Sequence, residues 1–133
     1  MSLKMKFIAS VLVIGASVAN AQSYDFKKEL EENPEGANAA YCIGVMNVMA
    51  REVGVNNPKN KIYKDFALAA IIAADKAYGD TSKTSEKALI HSIYLGKALG
   101  RAKSFSEEAY QTHLKIFQDM IKTCKRDFPL EVK

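Results

Sequence analysis

The stretch NPEGANAAYCIGVMNVMAREVG, residues 33–54, predicts the long helix that decides the fold. Asn33 is a typical N-cap, and Pro34 suits the first helical position because its missing N–H is not needed there. The helix should end at Val53, because helices often have a glycine such as Gly54 just beyond their last turn. So much of this stretch is apolar that we expect the helix to be mostly buried and central.

The remaining sequence is also typical of helices, because no stretch shows the sustained apolar–polar alternation of strands. We expect a short leading helix from Tyr24 to Glu32 and three further long helices. These are predicted over residues 61–78, from Ser82 or Thr84 to Leu99, and from a Ser104–Glu107 capping box to Arg126. The predicted fold is all-α, a compact bundle of four core helices plus a short leading helix, with one disulfide.

Recurring apolar residues predict the faces on which these helices pack. In the last helix the stripe is Tyr110, Leu114, Phe117, Ile121 and Cys124. In the second core helix the predicted core face is Ile62, Phe66, Ala69, Ala70, Ala73 and Ala77. In the third it is Leu89, Ile93 and Gly96, with Leu95 and Leu99 adjacent.

The first 21 residues have the organisation of a secretory signal peptide. Two lysines precede an apolar run from Phe7 to Val18, and Ala19-Asn20-Ala21 supplies the small residues of a cleavage site. The run is about a dozen residues, shorter than the ~20 that a transmembrane helix needs. We therefore expect export to the periplasm, a single mature helical domain over residues 22–133, and no stable membrane anchor.

The expected export bears on the state of the two cysteines, Cys42 and Cys124. Cysteine pairs in exported proteins usually form disulfides because those compartments are oxidising. Both lie on apolar stripes, so both should point inward and join the first and last core helices. Two free buried thiols are the alternative. A metal site is disfavoured, because the cysteines and the two histidines do not have the spacing of zinc ligands.

The charge balance argues against general nucleic-acid binding. The chain has 19 Lys and Arg against 15 Asp and Glu, and removing Lys4 and Lys6 with the signal leaves 17 against 15. A nucleic-acid-binding domain would need a basic stripe. Residues 22–40 are mainly acidic and residues 83–103 mainly basic, an asymmetry that can steer a partner or pair two copies. Ordinary solvated helix faces are the alternative interpretation.

The sequence contains no recognised catalytic motif. Nucleophile-elbow, zinc-protease, P-loop and haem-attachment patterns are all absent from it. His91 and His113 belong to separate helices, and adjacent helical glutamates such as Glu107 and Glu108 point about 100° apart. We therefore expect a binding protein that is not an enzyme and that needs no cofactor or metal.

Three segments resemble a family of small exported proteins. Tyr41-Cys42-Ile43-Gly44-Val45 resembles the aromatic-Cys-x-Gly opening of periplasmic immunity proteins of type VI secretion systems. The alanine-rich residues 66–78 are similar to the second helix of the immunity proteins for amidase effectors, and Cys124-Lys125-Arg126-Asp127-Phe128 resembles their closing cysteine. The resemblance implies a disulfide-braced, often dimeric helical protein that neutralises a peptidoglycan-cleaving effector through a variable loop.

An inhibitor without catalytic residues must block its target by shape and polar complementarity, and exposed loops on a rigid scaffold supply such surfaces. The polar loops are residues 54–60 and 79–83, and the basic third core helix is a second candidate. The predicted partner-binding residues are Asn56, Asn57, Lys59, Asp80, Thr81, Lys83, Lys97 and Arg101. Ordinary helix connections are the alternative interpretation of the loops.

The first functional hypothesis is thus an exported helical binding protein that inhibits a secreted cell-wall amidase or hydrolase, with a homodimer as its expected assembly. Two other functions stay open. A periplasmic stress chaperone would need exposed apolar surface or an opening triggered by pH. A small-ligand carrier would need a cavity, and the residues able to line one, which a packed core also explains, are Tyr41, Met46, Met49, Tyr63 and Tyr94.

Overall fold

The computed structural model describes residues 25–130, which contain five helices and no strand. We number them α1 Phe26–Glu32, α2 Pro34–Val53, α3 Pro58–Tyr78, α4 Thr81–Phe105 and α5 Glu107–Asp127. The all-α prediction, with four core helices after a short leading one, is confirmed. The chain divides into two units, residues 1–32 and 33–133, so that α1 belongs to the first and α2 to α5 belong to the second. The predicted signal peptide lies outside the described residues.

Helix α2 is the centre of the second unit, as residues 33–54 predicted. Asn33 caps it by accepting a hydrogen bond from the Gly36 N–H at 3.0 Å, and Gly54 follows its last residue with a positive φ of 85°. Twelve of its 20 residues are buried, and α3, α4 and α5 all pack against it. A helix covered on so many sides must be apolar around most of its circumference.

Two asparagine side chains fasten α3 to α2, one at each end of the pair. The buried Asn60 donates from Nδ2 to the carbonyl oxygen of Ala50 at 2.7 Å. Asn33 donates from Nδ2 to the carbonyl oxygen of Ala77 at 3.2 Å. Both carbonyls lie in the last turn of a helix, where backbone oxygens have few helical partners, and that of Ala50 also accepts from the Gly54 N–H at 3.2 Å. The two asparagine bonds fix the register of the antiparallel pair.

Two helices begin earlier than the sequence patterns indicated. Asn57 caps α3, which therefore starts at Pro58, three residues before the predicted start. Asp80 caps α4, which starts at Thr81. In each case a short side-chain oxygen accepts a hydrogen bond from a backbone N–H two residues later, and this capping moves the start of the helix toward the loop.

The predicted boundary between α4 and α5 also differs from that in the structure. Gly100 does not end α4, because a single exposed glycine costs a helix only about 1 kcal/mol, and α4 runs on to Phe105. The cap of α5 is Ser106, whose Oγ accepts from the Ala109 N–H at 3.0 Å. The predicted Ser104–Glu107 capping box is therefore replaced by a simple serine cap.

The predicted apolar stripe of α5 is confirmed, because Phe117, Ile121 and Cys124 are buried and Tyr110 and Leu114 pack against the core. The predicted faces of α3 and α4 are only partly right. Ala70 and Leu99 are buried, and Phe66, Ala73 and Leu95 pack against the core, whereas Ile62, Leu89 and Ile93 are exposed. The residues that α3 buries are Asn60, Tyr63, Ala67, Ala70 and Ala74. Those that α4 buries are Thr84, Ala88, His91, Ser92, Leu99 and Ala102.

Close approach of the helices explains why small residues face inward. A Cβ atom added at Gly44 of α2 would lie 2.7 Å from the Cβ of His91 and 3.0 Å from the backbone N of Ser92. At that separation the inner face of α4 has room for alanine, serine and threonine. Leu89 and Ile93, which the pattern placed in the core, are 60% and 42% exposed instead.

The predicted disulfide joins the first and last core helices. Cys42 on α2 and Cys124 on α5 are bonded, with their Cα atoms 5.6 Å apart, and both residues are buried. The bond closes a loop that spans a sequence separation of 82 residues. A loop of that length strongly restricts the unfolded chain, and most of the stabilisation is attributed to this restriction.

We expect the double substitution Cys42→Ser and Cys124→Ser to lower the free energy of unfolding by about 2–5 kcal/mol, because the unfolded chain regains the freedom of the long loop. Urea unfolding followed by circular dichroism measures this. The control is wild-type protein with reductant, which should unfold at the same urea concentration as the variant. Equal unfolding midpoints for the variant and the oxidised wild type would contradict the prediction.

A second prediction concerns the contact of α2 with α4. Gly44→Ala should lower the free energy of unfolding by about 1–3 kcal/mol, because the added methyl group meets the α4 backbone. The matched control is Gly100→Ala, where nothing lies within 4 Å of the added Cβ. That substitution should raise the free energy of unfolding by up to about 1 kcal/mol through helix propensity alone. Thermal unfolding should show a lower midpoint temperature than wild type for Gly44→Ala and a higher one for Gly100→Ala. Midpoint shifts of the same sign in both variants would refute the close-contact explanation.

Candidate functional site

An open groove of about 590 Å³ runs along α2 between α3 and α4. We call it the interhelical groove. Its floor comes from Ile43, Asn47, Ala50 and Arg51 of α2. The α3 wall contains Asn60, Lys64, Ile71 and Asp75, and the α4 wall contains Thr81, Thr84, Ser85, Ala88, Leu89 and Ser92. Between Asn60 and Asp75 the groove follows α3 for about 22 Å, at the helical rise of about 1.5 Å per residue.

The groove follows from the way the helices pack. α3 and α4 both pack extensively on α2 and only lightly on one another, so a gap is left above α2. The α4 side of this gap carries small side chains, Ser85, Ala88 and Ser92, which do not fill it. The groove is therefore a direct result of the small-residue contacts that bring α4 close to α2.

The two halves of the groove differ in charge. Arg51 and Lys64 lie in the half near the end of α2, and Asp75 lies toward the other end, near Thr81 at the start of α4. Within residues 25–130 the Oδ1 atom of Asp75 is buried and has no hydrogen-bond partner. Buried polar atoms are nearly always paired, so this oxygen is an unusual feature of the groove.

Large apolar side chains border the groove on its outer side. Leu68 and Ile72 of α3 are 56% and 62% exposed, and Leu89 and Ile93 of α4 are comparably exposed. Leu89 lines the groove, and Leu68 lies one helical turn from the lining residues Lys64 and Ile71. Ile72 lies one turn after Leu68 on α3, and Ile93 lies one turn after Leu89 on α4. We call these four residues the apolar rim. Large exposed apolar patches commonly mark the interaction surfaces of proteins.

His91 lies behind the α4 wall of the groove, in the contact with α2. Its ring packs edge-to-face against Tyr41 with 5.4 Å between the ring centroids. Burial of the imidazole, with a smaller contribution from the nearby positive charge of Lys87, lowers the pKa of His91 from 6.5 to about 4. The ring is therefore neutral at pH 7 and contributes to packing between α2 and α4.

A polar cluster joins α2, α4 and α5 through three residues. The Tyr110 hydroxyl donates a hydrogen bond to the Glu52 carboxylate, and Lys103 Nζ lies 3.4 Å from the same carboxylate oxygen. The Lys103 ammonium also lies 5.3 Å from the centre of the Tyr110 ring. The bond to Glu52, followed by burial, raises the pKa of Tyr110 to about 12. These three residues already bind one another through a hydrogen bond, an ion pair and a cation–ring contact, so we assign them to the scaffold.

The structure places the two predicted contact loops at opposite ends of α3, one before it and one after it. Two of the predicted contact residues act as helix caps. Asn57 Oδ1 accepts from the Lys59 N–H at 2.9 Å, and Asp80 Oδ1 accepts from the Ser82 N–H at 2.8 Å. Their side-chain oxygens are thus used within the fold, whether or not a partner also contacts these residues.

Of the other predicted contact residues, Thr81 lines the interhelical groove. Asn56 is exposed beside Val55, which also lines it, and Lys59 is exposed beside Asn60. The remaining three are exposed on α4 outside the groove: Lys83, Lys97 and Arg101. Arg101 instead borders a separate shallow depression between α4 and α5.

Sequence reasoning missed Arg51, Lys64 and Asp75 as groove residues, and it assigned Leu89 to the core. One signal was available. The α3 sequence carries a stripe of small residues and, on a different face, the large residues Leu68 and Ile72. A helix with two apolar faces usually buries only one of them within its own domain, so the other is a candidate surface.

Within residues 25–130, no helix is long and apolar enough to cross a membrane. The same residues contain no group of three or more His, Cys, Asp or Glu side chains placed to hold a metal ion. Comparison of the chain with protein-family models, curated proteins and solved structures found no match. Function has therefore to be inferred from the groove and from the sequence features described above.

The lowered pKa of His91 predicts that stability falls in mild acid. Because the folded pKa lies below the unfolded value of 6.5, the unfolded chain binds the proton more tightly, and stability is lost as the pH falls from about 6.5 to about 4. Between pH 7 and pH 5 the wild type should lose about 2 kcal/mol more free energy of unfolding than His91→Gln. Urea unfolding at both pH values measures the difference.

The control for that experiment is His113→Gln, because the His113 side chain is only partly buried and contacts a carbonyl of its own helix. This variant should keep the wild-type loss between pH 7 and pH 5. If His91→Gln loses as much stability as the wild type over the same interval, protonation of His91 is not the cause.

Proposed function

We propose that this protein is an exported binding protein that inhibits a secreted cell-wall amidase or related hydrolase, as an immunity protein does, and that its partner docks over the interhelical groove. The observation that carries the docking surface is the apolar rim. Four large side chains lie about half exposed along the outer side of one groove, where burial of the exposed part of each leucine or isoleucine by a partner would contribute roughly 1 kcal/mol.

A protein fits this surface better than a small ligand does. The rim extends outside the groove, so a small molecule in the groove would leave Ile72 and Ile93 in water. The residues proposed above for a carrier cavity do not line the groove. Met46, Met49 and Tyr63 are instead packed in the core, and the Tyr41 ring packs edge-to-face against His91.

Export and inhibition rest on the sequence, with partial support from the fold. The segment before residue 22 has the pattern of a signal peptide, and a disulfide is compatible with an oxidising compartment. In the segment that resembles immunity proteins, Cys42 forms the disulfide and Gly44 permits close approach to α4. The resemblance therefore falls on residues of the scaffold, and the contact surface has to be found by experiment.

A second candidate function is that of a stress chaperone that opens in acid. It is favoured by the position of His91, a buried ionisable group at the contact between α2 and α4, next to a wall that carries exposed apolar residues. Protonation would weaken that contact and expose more apolar surface. Suppression of aggregation of an unfolded client at pH 4–5, absent at pH 7 and absent in His91→Gln, would favour this function over inhibition.

The proposed function predicts stoichiometric inhibition. Mature chain, residues 22–133, added at an equimolar amount to its cognate amidase or related hydrolase, sought first among the products of neighbouring genes, should stop release of fragments from purified peptidoglycan. Leu68→Asp combined with Leu89→Asp should raise the inhibition constant at least about tenfold, because two apolar contacts are replaced by charges.

The matched control is Ile116→Asp on α5, where a side chain of similar exposure lies outside the groove. This variant should inhibit like the wild type. Light scattering on the free proteins shows whether the rim variant also changes the oligomeric state, as it would if a second copy covered the rim. A rim variant that is folded, keeps its oligomeric state and inhibits with unchanged strength would place the docking surface elsewhere.

A further inference from the structure

We infer that the interhelical groove receives an extended segment of the protein partner that places a lysine or arginine side chain against Asp75 and an acidic side chain near Lys64 and Arg51. This inference rests on the proposed function in one respect, namely that the occupant belongs to a protein. It adds the charge pattern and the conformation of the segment that binds.

The position of Asp75 is unfavourable for the isolated fold in two ways. Its Oδ1 atom is buried without a hydrogen-bond partner in the described part of the chain. The residue also lies in the last turn of α3, where the helix dipole disfavours negative charge. Neither feature helps the domain fold. A cationic side chain that donates hydrogen bonds to this carboxylate would satisfy both.

The opposite half of the groove carries the complementary charge. Lys64 is exposed on the α3 wall, and Arg51 on the floor extends toward α4, its Nη1 atom lying 3.9 Å from the position of a Cβ at Gly96. Within residues 25–130 neither makes an ion pair with Asp75. The groove therefore presents two positive charges to one end of an occupant and a carboxylate to the other.

The separation of these charges sets the spacing in the partner. Lys64 and Asp75 are eleven residues apart on one helix, which corresponds to about 17 Å. An extended chain advances about 3.3 Å per residue, so the basic and acidic side chains should be about five residues apart. The residues between them would lie over Ile43, Ile71 and Ala88, which favours small or apolar side chains.

The volume of the groove favours an extended segment over a helix. A helix with its side chains is about 10–12 Å across, so a 22 Å length of helix occupies well over 1,500 Å³, by rough cylinder geometry. The groove holds about 590 Å³, so most of a helix would stand outside its walls. An extended chain has the smaller cross-section, and we therefore assign the segment that conformation.

The experiment is selection of a random heptapeptide library displayed on phage against the immobilised mature chain, followed by synthesis of the enriched peptides. We expect enrichment of peptides with a basic and an acidic residue about five positions apart. Fluorescence anisotropy should then show about ten- to a hundredfold weaker binding to Asp75→Asn, because a charge-assisted hydrogen bond is lost. The same variant should melt at the wild-type temperature or above it, because a negative charge that the helix dipole disfavours in the last turn of α3 has been removed.

Two further variants make the result specific. Asp65→Asn is the matched control, since that carboxylate pairs with Lys61 at 2.8 Å on the outer surface of α3, and it should bind the peptides within about twofold of wild type. Lys64→Gln, at an exposed position, should lose the preference for the acidic residue and keep the preference for the basic one. Failure to enrich any peptide, enrichment without a basic residue, or equal binding to Asp75→Asn each overturns the inference.

These outcomes are distinct from those of the inhibition assay. If the peptide pattern is found and no cell-wall hydrolase is inhibited, the proposed function is wrong and the specificity of the groove stands. If a hydrolase is inhibited and the peptide pattern is absent, the function stands and the inference about the groove is wrong.

Discussion

Because α2 is buried along most of its length, the placement of every other core helix depends on how closely that helix can approach it. At Gly44 the absence of a side chain lets the backbone of α4 come into contact. The disulfide at Cys42, two residues earlier, holds α5 to the same part of α2. Three helices are therefore joined within one turn of α2, and the rest of the second unit is arranged around that turn.

Close approach has a consequence for the surface. When two helices approach until mostly small residues fit between them, large apolar residues of the same helices are displaced to other faces. In α4 the inward positions are taken by residues such as Ala88 and Ser92, and Leu89 and Ile93 face outward. The same holds for α3, where Ala67 and Ala70 are buried and Leu68 is exposed. The apolar rim is thus the counterpart of the small-residue core.

This relation explains which features could be predicted from the sequence. The existence of the helices, the central position of α2, the stripe of α5 and the disulfide all follow from local periodicity, caps and cysteine placement. The inner faces of α3 and α4 follow only in part: Ala70 and Leu99 are buried as predicted, but the usual assumption that the largest apolar residues are buried fails where helices pack closely. The groove was also beyond prediction, since Arg51 lies at the Lys64 end of the groove, away from Asp75, only through the antiparallel register that Asn33 and Asn60 fix.

A surface of this kind lowers stability, and the scaffold contains interactions that offset the loss. The exposed rim residues do not contribute the stabilisation that burial would provide, and the Asp75 carboxylate oxygen is buried without the hydrogen bond that would offset its desolvation. The long disulfide loop stabilises the fold by restricting the unfolded chain, and the cluster of Glu52, Lys103 and Tyr110 joins three helices outside the groove. The disulfide and this polar cluster are therefore located away from the groove, and the destabilising features lie in it or along its border. That separation is expected of a binding site, because selection for partner affinity retains groups that selection for stability alone would remove.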